Sequence, residues 1–177
     1  MKNGMVCILV VVFAMVPVRA QSPQPDPAPV LEAMKAVAFL EGRWAGEGWM
    51  QMGPGPKEEF SQTEIIERKL DGGLLLIEGI GHSKGTEARK VHHAFAVISF
   101  DPSTKKYRFS SHIVGRPPLD VEPEVGSNTL SWSYQPQPGI HIRYRITIAD
   151  GTWREVGEFS RDGQSWNPFF GMTLKRQ

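Results

Sequence analysis

Residues 140–160, IHIRYRITIADGTWREVGEFS, decide the fold because they read as two β-strands joined by a tight turn. In the first half of this segment isoleucine or tyrosine stands at every second position, with histidine, arginine or threonine between them. Side chains of a strand alternate between its two faces, so a period of two predicts one apolar and one polar face. Asp150-Gly151 is a hairpin turn signal, and residues 152–160 form the returning strand.

The same alternation continues on both sides of this hairpin, with glycine-, proline- and asparagine-rich turns at short, regular intervals. No long helix interrupts the pattern, which excludes the crossovers that parallel strands need. The predicted strands are residues 43–51, 59–70, 74–83, 90–101, 107–114, 120–125, 129–135, 140–149, 152–160 and 168–175. The sequence therefore predicts an all-β chain. A single antiparallel up-and-down barrel of about ten strands is preferred over a sandwich, because sequential hairpins close simply.

One short helix is predicted before the first strand. Residues 30–40 carry Leu31, Met34, Val37 and Ala38 at helical spacing, which suits a helix docked on one end of the barrel. Residues 21–29, QSPQPDPAP, read as a proline-rich flexible leader. Residues 30–177 are thus the predicted barrel domain.

Residues 1–20 have the features of a secretory signal peptide. Lys2 precedes an apolar stretch over residues 5–16, and Val18 and Ala20 stand where a signal peptidase reads small or medium side chains. The stretch is shorter than the roughly 20 residues of a spanning helix. We expect cleavage before Gln21 and export to the periplasm or outside the cell, with no membrane insertion afterwards.

Cleavage would change the composition of the chain. It removes Cys7, the only cysteine, so the mature protein would have no disulfide, thiol nucleophile or thiolate metal site. Loss of Lys2 and Arg19 leaves 18 basic against 19 acidic residues. A nearly neutral chain has no electrostatic footprint for nucleic acid or an anionic membrane, so neither is expected as a partner.

Motifs for catalysis or metal binding are scarce. His92 and His93 are adjacent, so they point to opposite faces of a strand, and no pair of histidines has metal-ligand spacing. We predict no metal site, and no cofactor, although one inward histidine would suffice to bind haem iron. The only catalytic alternative is an interior acid–base pair, Glu78 and His82, in an isomerase- or cyclase-type enzyme.

The apolar faces of the central strands predict a ligand site inside the barrel. Aromatic rings with polar handles can line an apolar pocket, although they can also simply fill the core. The expected ligand-binding residues are Trp132, Tyr144, Trp153, Phe95, Phe109 and Ile142. If the register were reversed, Arg143 and Arg145 would face inward and could clamp an anionic ligand.

Several charged side chains share strand faces with apolar ones. Glu155 aligns with Trp153, Gly157 and Phe159. Glu64 and Arg68 share a face with Phe60 and Ile66, and Glu78 and His82 share one with Leu74, Leu76 and Ile80. This mixture suggests a partly polar interior. Equally, such charges can lie near strand ends where water reaches them.

Residues 42–44, Gly-Arg-Trp, open the first strand, and Arg176 lies at the end of the last. Trp44 is expected to plug one end of the barrel, with the guanidinium of Arg176 stacked on its face.

The segments at residues 39–48, FLEGRWAGEG, and 162–176, DGQSWNPFFGMTLKR, resemble the calycin-like barrel families. The similarity is greatest to the exported bacterial domain group called DUF1579 and looser to nitrobindin. It implies a lipocalin-like barrel with no established activity. Nitrobindin-type proteins bind haem through a histidine near the C-terminal strand, and this chain has no histidine after His141.

Three functions fit these patterns. The first is an exported, non-enzymatic barrel that binds a small apolar or amphipathic molecule. The second is the isomerase- or cyclase-type enzyme, and the third is a filled barrel that acts as an interaction module. A central cavity would favour the first, a buried histidine–carboxylate pair the second, and a packed interior with an exposed apolar patch the third.

Overall fold

The computed structural model describes residues 25–177. The predicted signal peptide, residues 1–20, and residues 21–24 of the leader lie outside the described residues. Helix α1 spans Ala28–Met34, and a 3₁₀ helix, Lys35–Leu40, follows it directly. The helix thus begins two residues inside the predicted leader. Pro29 is tolerated in its first turn because the N–H groups there have no partner within the helix.

Eleven strands follow the helices. They are β1 Gly42–Met50, β2 Glu58–Lys69, β3 Leu74–Ser83, β4 Lys90–Asp101, β5 Lys106–Ile113, β6 Leu119–Val121, β7 Glu124–Gly126, β8 Thr129–Gln137, β9 Ile140–Ala149, β10 Thr152–Ser160 and β11 Asn167–Arg176. They form one antiparallel sheet in the order β6-β5-β4-β3-β2-β1-β11-β10-β9-β8-β7. The all-β antiparallel meander predicted from the sequence is confirmed.

The structure has eleven strands rather than about ten, and its sheet does not close into a barrel. Both differences arise at residues 120–125. Residues 120–125 form two short strands: β6 pairs with β5, and β7 pairs with β8 at the other edge of the sheet. Pro123 lies between them and has no N–H to donate to a ladder. The hydrogen-bonded sheet of the described chain therefore ends at β6 and β7, and it curls into a half-barrel rather than a closed one.

The first and last strands pair in the middle of the sheet, with Trp44 opposite Arg176. The curl also brings the inner faces of distant strands together. The rings of Phe109 on β5 and Trp132 on β8 lie 4.8 Å apart between centroids. This curvature encloses the interior described below.

The helices cover one end of the half-barrel. The Tyr107 hydroxyl donates a hydrogen bond of 2.6 Å to the Ala33 carbonyl, and the Trp44 indole donates one of 2.9 Å to the Leu40 carbonyl. The Arg176 guanidinium lies 4.2 Å from the centroid of the Trp44 ring and donates to the carbonyl of Phe39. This stacking is the contact expected from the sequence.

The core is concentrated beneath this helical cover. Its fully buried side chains include Met34, Val37, Leu40, Trp44, Leu75, Ile98, Leu130, Trp153 and Leu174. Among residues 25–177, no helix is long and apolar enough to cross a membrane.

Candidate functional site

A cavity of about 600 Å³ occupies the half-barrel. Its mouth lies at the end opposite the helices, where Met50 ends β1, Glu58 begins β2 and Ser83 ends β3. The connection after β3 adds Lys84 and Arg89 to the rim. This volume is within the range of small-molecule sites.

Five aromatic rings form one wall of the cavity, which we call the aromatic wall: Phe60, Phe109, Trp132, Tyr144 and Phe170. Trp132 and Tyr144 are stacked with centroids 5.2 Å apart, and Phe60 and Phe170 are stacked at 5.9 Å. Tyr144 meets Phe170 edge-on at 5.8 Å, so the two stacks are continuous. Such a wall favours a flat or hydrocarbon ligand.

Two glycines make room for these rings. A Cβ atom on Gly157 would lie 2.7 Å from the Tyr144 ring, and one on Gly48 would lie 2.5 Å from the Phe60 ring. Neither distance is compatible with a real side chain. The rings therefore lie over positions where the neighbouring strand has no side chain.

Three polar side chains interrupt the apolar lining, and we call them the polar wall: Gln62 and Glu64 on β2, and Glu155 on β10. They alternate with Phe60 and Trp153 on the inner faces of their strands, which is why they point inward. Their exposed fractions are 3%, 7% and 8%, respectively.

The polar wall has few hydrogen-bond partners. The Gln62 amide donates to Glu64 Oε1 at 2.8 Å, and the Trp153 indole donates to Glu155 Oε2 at 3.2 Å. Gln62 Oε1 is buried and has no hydrogen-bond partner within the part of the chain that the structure describes. Neither carboxyl takes part in an ion pair among residues 25–177. Unpartnered buried polar atoms are uncommon in folded proteins and call for an explanation.

Burial dominates the titration of the polar wall. It raises the pKa of Glu64 to about 7, although the hydrogen bond from Gln62 opposes the shift. It raises the pKa of Glu155 to about 8, helped by the nearby charge of Glu64 and opposed by the hydrogen bond from Trp153. Both carboxyls thus exchange protons near neutral pH.

Burial also affects two groups elsewhere in the lining. The pKa of the Tyr144 hydroxyl is raised, first by burial and then by Tyr134 and Glu155. The pKa of His92 is lowered, first by burial and then by the positive charge of Arg116.

Four of the six residues predicted to bind ligand line the cavity: Trp132, Tyr144, Trp153 and Phe109. Phe95 does not. It is 42% exposed, because its neighbours Ala94 and Ala96 take the inward positions of β4. Ile142 is half-buried on the Tyr144 side of β9 but is not part of the lining.

The alternative residues for an anionic ligand face away from the cavity. Arg143 and Arg145 are exposed on β9, as the apolar-in register of that strand requires. The Arg143 guanidinium donates to Glu158 at 2.7 Å and lies 3.9 Å from the centroid of the Trp166 ring. Arg143 and Arg145 therefore form no clamp inside the half-barrel.

The predicted interior pair of Glu78 and His82 was also wrong. Glu78 is exposed on the outer face of β3, since Ile77 and Gly79 take the inward positions. Its carboxylate contacts His93 Nε2 at 3.0 Å, on the neighbouring strand β4. A histidine–carboxylate pair therefore exists, but on the outer surface.

The polar wall was not among the residues chosen from the sequence. A signal was present, because Glu64 and Glu155 each share a strand face with apolar residues. What the sequence lacked was the curl of the sheet, which decides whether water reaches these mid-strand side chains, and the pairing that brings β2 and β10 to one cavity. Gln62 gave no signal of its own.

Of the five histidines, His92 alone lines the cavity. Residues 25–177 contain no group of three or more histidine, cysteine, aspartate or glutamate side chains placed to hold a metal ion.

No family model matches the chain, and no curated protein matches it. Among solved structures it is similar to Rv2717c from M. tuberculosis, at a TM-score of 0.61 and 11% identity. That match covers 82% of this chain and 97% of the other, and at this identity it supports the fold alone. A second match is a DUF3598 family protein of unknown function from Nostoc punctiforme. It has 7% identity and covers 82% of this chain and 99% of the other, but its TM-score is only 0.24.

Proposed function

We propose that this protein is a non-enzymatic binding protein whose half-barrel holds one small amphipathic molecule. The observation that carries the proposal is the cavity of about 600 Å³ between the aromatic wall and the polar wall. Binding sites for small molecules are mostly apolar concavities with a few converging polar groups, and this cavity has that composition.

The dimensions of the cavity support a ligand rather than a filled interior. Side chains pack protein cores to the density of organic crystals and leave few voids larger than a water molecule. Here a cavity remains although five aromatic rings project into it. The interaction-module alternative requires a packed interior, so it has less support.

The isomerase- or cyclase-type alternative has less support, because Glu78 is exposed and pairs with His93 instead of forming an interior acid–base pair with His82. Haem remains a testable second ligand, since His92 lines the cavity and its lowered pKa favours the neutral form that binds iron. Haem added to the protein would show a His92-dependent Soret band if this alternative holds.

We further propose export through residues 1–20, and membership of the calycin-like group that residues 39–48 and 162–176 resemble. Intact-mass analysis of the secreted protein tests the first. A chain that begins near Gln21 supports export, whereas retention of residues 1–20 in the soluble pool contradicts it.

A neutral fluorescent probe, N-phenyl-1-naphthylamine, tests binding in the cavity. Bound probe should quench tryptophan emission, and Trp132→Phe should remove most of the response because Trp132 lies in the aromatic wall. Trp166→Phe is the matched control, since Trp166 lies outside under Arg143. A response lost only in Trp166→Phe would place the probe on the outer surface and contradict the proposal.

Native mass spectrometry of protein purified from its own host identifies the class of ligand. A copurifying mass that is absent from the Trp132→Phe variant would support the proposal.

A further inference from the structure

The chemistry of the polar wall narrows the class of ligand, on the basis of the proposed function. When both carboxyls are ionised, its groups are acceptors: Gln62 Oε1, which has no hydrogen-bond partner among residues 25–177, and the carboxyl oxygens of Glu64 and Glu155. The donors that point toward them, the Gln62 amide and the Trp153 indole, are already used by the carboxyls. Once both carboxyls have lost their protons, the wall has acceptors but no free donor, so a ligand that satisfies it must bring donors.

The backbone is shaped around these acceptors. A Cβ atom on Gly79 would lie 2.6 Å from Glu64 Oε1, and one on Gly81 would lie 2.6 Å from Gln62 Oε1. Two glycines on β3 thus leave space for the two polar side chains of β2. The polar wall is a built feature of the sheet rather than a pair of carboxyls displaced from the surface.

No cation among residues 25–177 pairs with the carboxyls of this wall. Lys84, Arg89 and Arg116 line the cavity, but none forms an ion pair or hydrogen bond with Glu64 or Glu155 in the described part of the chain. Lys84 instead pairs with Glu47. Two buried carboxyls without a cation favour a positively charged ligand group.

We propose that the polar wall binds the protonated amino group of an amphipathic amine, whose apolar body lies against the aromatic wall. An alkylammonium group has three N–H donors and no acceptor, which matches Gln62 Oε1 and the two carboxyls. The faces of Trp132 and Tyr144 attract cations as well as apolar surface. A fatty acid, by contrast, would add a third carboxyl.

The proposal predicts a direction for the pH dependence of binding. The pKa of Glu64 is raised to about 7 and that of Glu155 to about 8, so both carboxyls ionise between about pH 6 and about pH 9. An alkylamine stays protonated over this range, because its pKa is about 10.4. Amine affinity should therefore rise with pH, and amine binding near neutral pH should release protons.

Other groups around the cavity do not reproduce this direction above about pH 6.5. The pKa values of Tyr134 and Tyr144 are raised and that of His92 is lowered, so these three keep one protonation state there. The remaining charged groups of the lining are Glu58, Glu59, Lys84, Arg89 and Arg116.

Isothermal titration calorimetry of the full chain with n-octylamine, n-octanol and octanoate tests the proposal. At about pH 8.5 octylamine should bind at least about ten-fold more tightly than the other two, as expected for charged hydrogen bonds in a buried site. Its affinity should rise about ten-fold from pH 6 to pH 8.5. Titrations in buffers of different ionisation enthalpy should show proton release.

Two double variants locate the effect. Glu64→Gln with Glu155→Gln should lose the amine preference and its pH dependence, while octanol binding is kept. Glu58→Gln with Glu59→Gln removes two carboxyls at the mouth of the cavity. This control should leave the amine preference and its pH dependence unchanged. Circular dichroism checks that each variant is folded. If a variant does not fold, the comparison of the three ligands on the unmodified chain still tests the amine preference.

The outcomes separate this inference from the proposed function. If octanol or octanoate binds as tightly as octylamine, the amine inference is overturned. The proposed function survives that result if Trp132→Phe still removes the quenching of tryptophan emission by the fluorescent probe. Failure of all three ligands and of the fluorescent probe would overturn both. An amine preference that survives in Glu64→Gln with Glu155→Gln would place the amine elsewhere and overturn the inference.

Discussion

The two ends of the half-barrel interior are built from different chemistry. At the helical end Trp44 is buried, its indole donates to the Leu40 carbonyl, and Trp153 packs edge-on against it at 5.6 Å. In the cavity, the described residues offer Gln62 Oε1 no hydrogen-bond partner and the carboxyls of Glu64 and Glu155 no ion-pair cation. At the helical end the buried indole N–H has a hydrogen-bond acceptor, whereas in the cavity a buried acceptor has no matching donor and two buried carboxyls have no cation among the described residues.

This contrast separates stability from function. Burial of apolar surface with satisfied hydrogen bonds stabilises a fold, whereas buried polar groups without partners cost free energy. The helical end is therefore expected to hold the fold together. The polar wall is expected to weaken it, and this cost is explained if the wall binds a ligand. Truncating Trp44 should therefore lower stability, whereas neutralising Glu64 and Glu155 should raise it at a pH where both carboxyls are ionised.

The largest effect is expected at the helical end. Trp44→Ala should lower the free energy of unfolding by about 3–5 kcal/mol, because it leaves a large cavity beside Trp153. Urea denaturation measures the loss, and Phe95→Ala, on the exposed outer face, is the control. A loss of less than about 1 kcal/mol would show that Trp44 does not hold this end.

The polar wall should make stability fall as pH rises. Burial raises the folded-state pKa of Glu64 and Glu155 above the usual 4.5, to about 7 and about 8, so the folded chain binds more protons than the unfolded chain. The free energy of unfolding should fall from about pH 4.5 and reach its full loss, a few kcal/mol, above about pH 8.

The cleanest window for this measurement is about pH 6.5 to 8.5, because His92 has the opposite effect below its usual pKa of 6.5. Glu64→Gln with Glu155→Gln should remove most of the slope and be the more stable protein at pH 8.5. A wild-type chain equally stable at both pH values would show that the carboxyls are solvated or paired.

A smaller effect is expected from filling the space beside Glu64. Gly79→Ala places a Cβ atom 2.6 Å from Glu64 Oε1, which is too close for an unbonded contact, so the carboxyl must move. We expect a loss of about 1–3 kcal/mol in thermal or urea unfolding, together with weaker octylamine binding. Gly55→Ala is the control, since no atom of residues 25–177 outside its chain neighbours lies within 4 Å of a Cβ atom placed there. Unchanged stability and binding would indicate that Glu64 is not held against β3.

The smallest effect is expected from the cation on Trp44. Arg176→Met should cost about 1 kcal/mol, because it removes the stacking on Trp44 and the hydrogen bond to the Phe39 carbonyl. Urea denaturation beside Arg161→Met, an exposed loop position, isolates the contact. Equal stability of the two variants would show that the contact of Arg176 with Trp44 does not stabilise the fold.

The helical end was predictable from the sequence because its signals are local. Trp44 follows a helix directly, and Arg176 ends the last strand, so pairing of the first and last strands brings them together. The inward face of β9 was equally clear, because isoleucine and tyrosine alternate with charged residues along its whole length.

The polar wall and the gap in the sheet depend on information that the alternation does not carry. Period two places Glu64 on an apolar face but does not say whether water reaches it, which depends on the curl of the sheet. It placed Phe95 wrongly, since β4 has apolar residues on both faces. The break at Pro123 separates strands that pair at opposite edges, and only the topology shows that.

The indole N–H region of an NMR spectrum tests the central contrast most directly, because the chain has five tryptophans distributed over both regions and the outer surface. Titration with octylamine should shift the signal of Trp153, which donates to Glu155, and that of Trp132 in the aromatic wall. Trp44 should change less, and Trp49 and Trp166, both on the outer side, should stay fixed. Shifts confined to Trp49 or Trp166, with Trp132 and Trp153 unchanged, would contradict binding between the two walls.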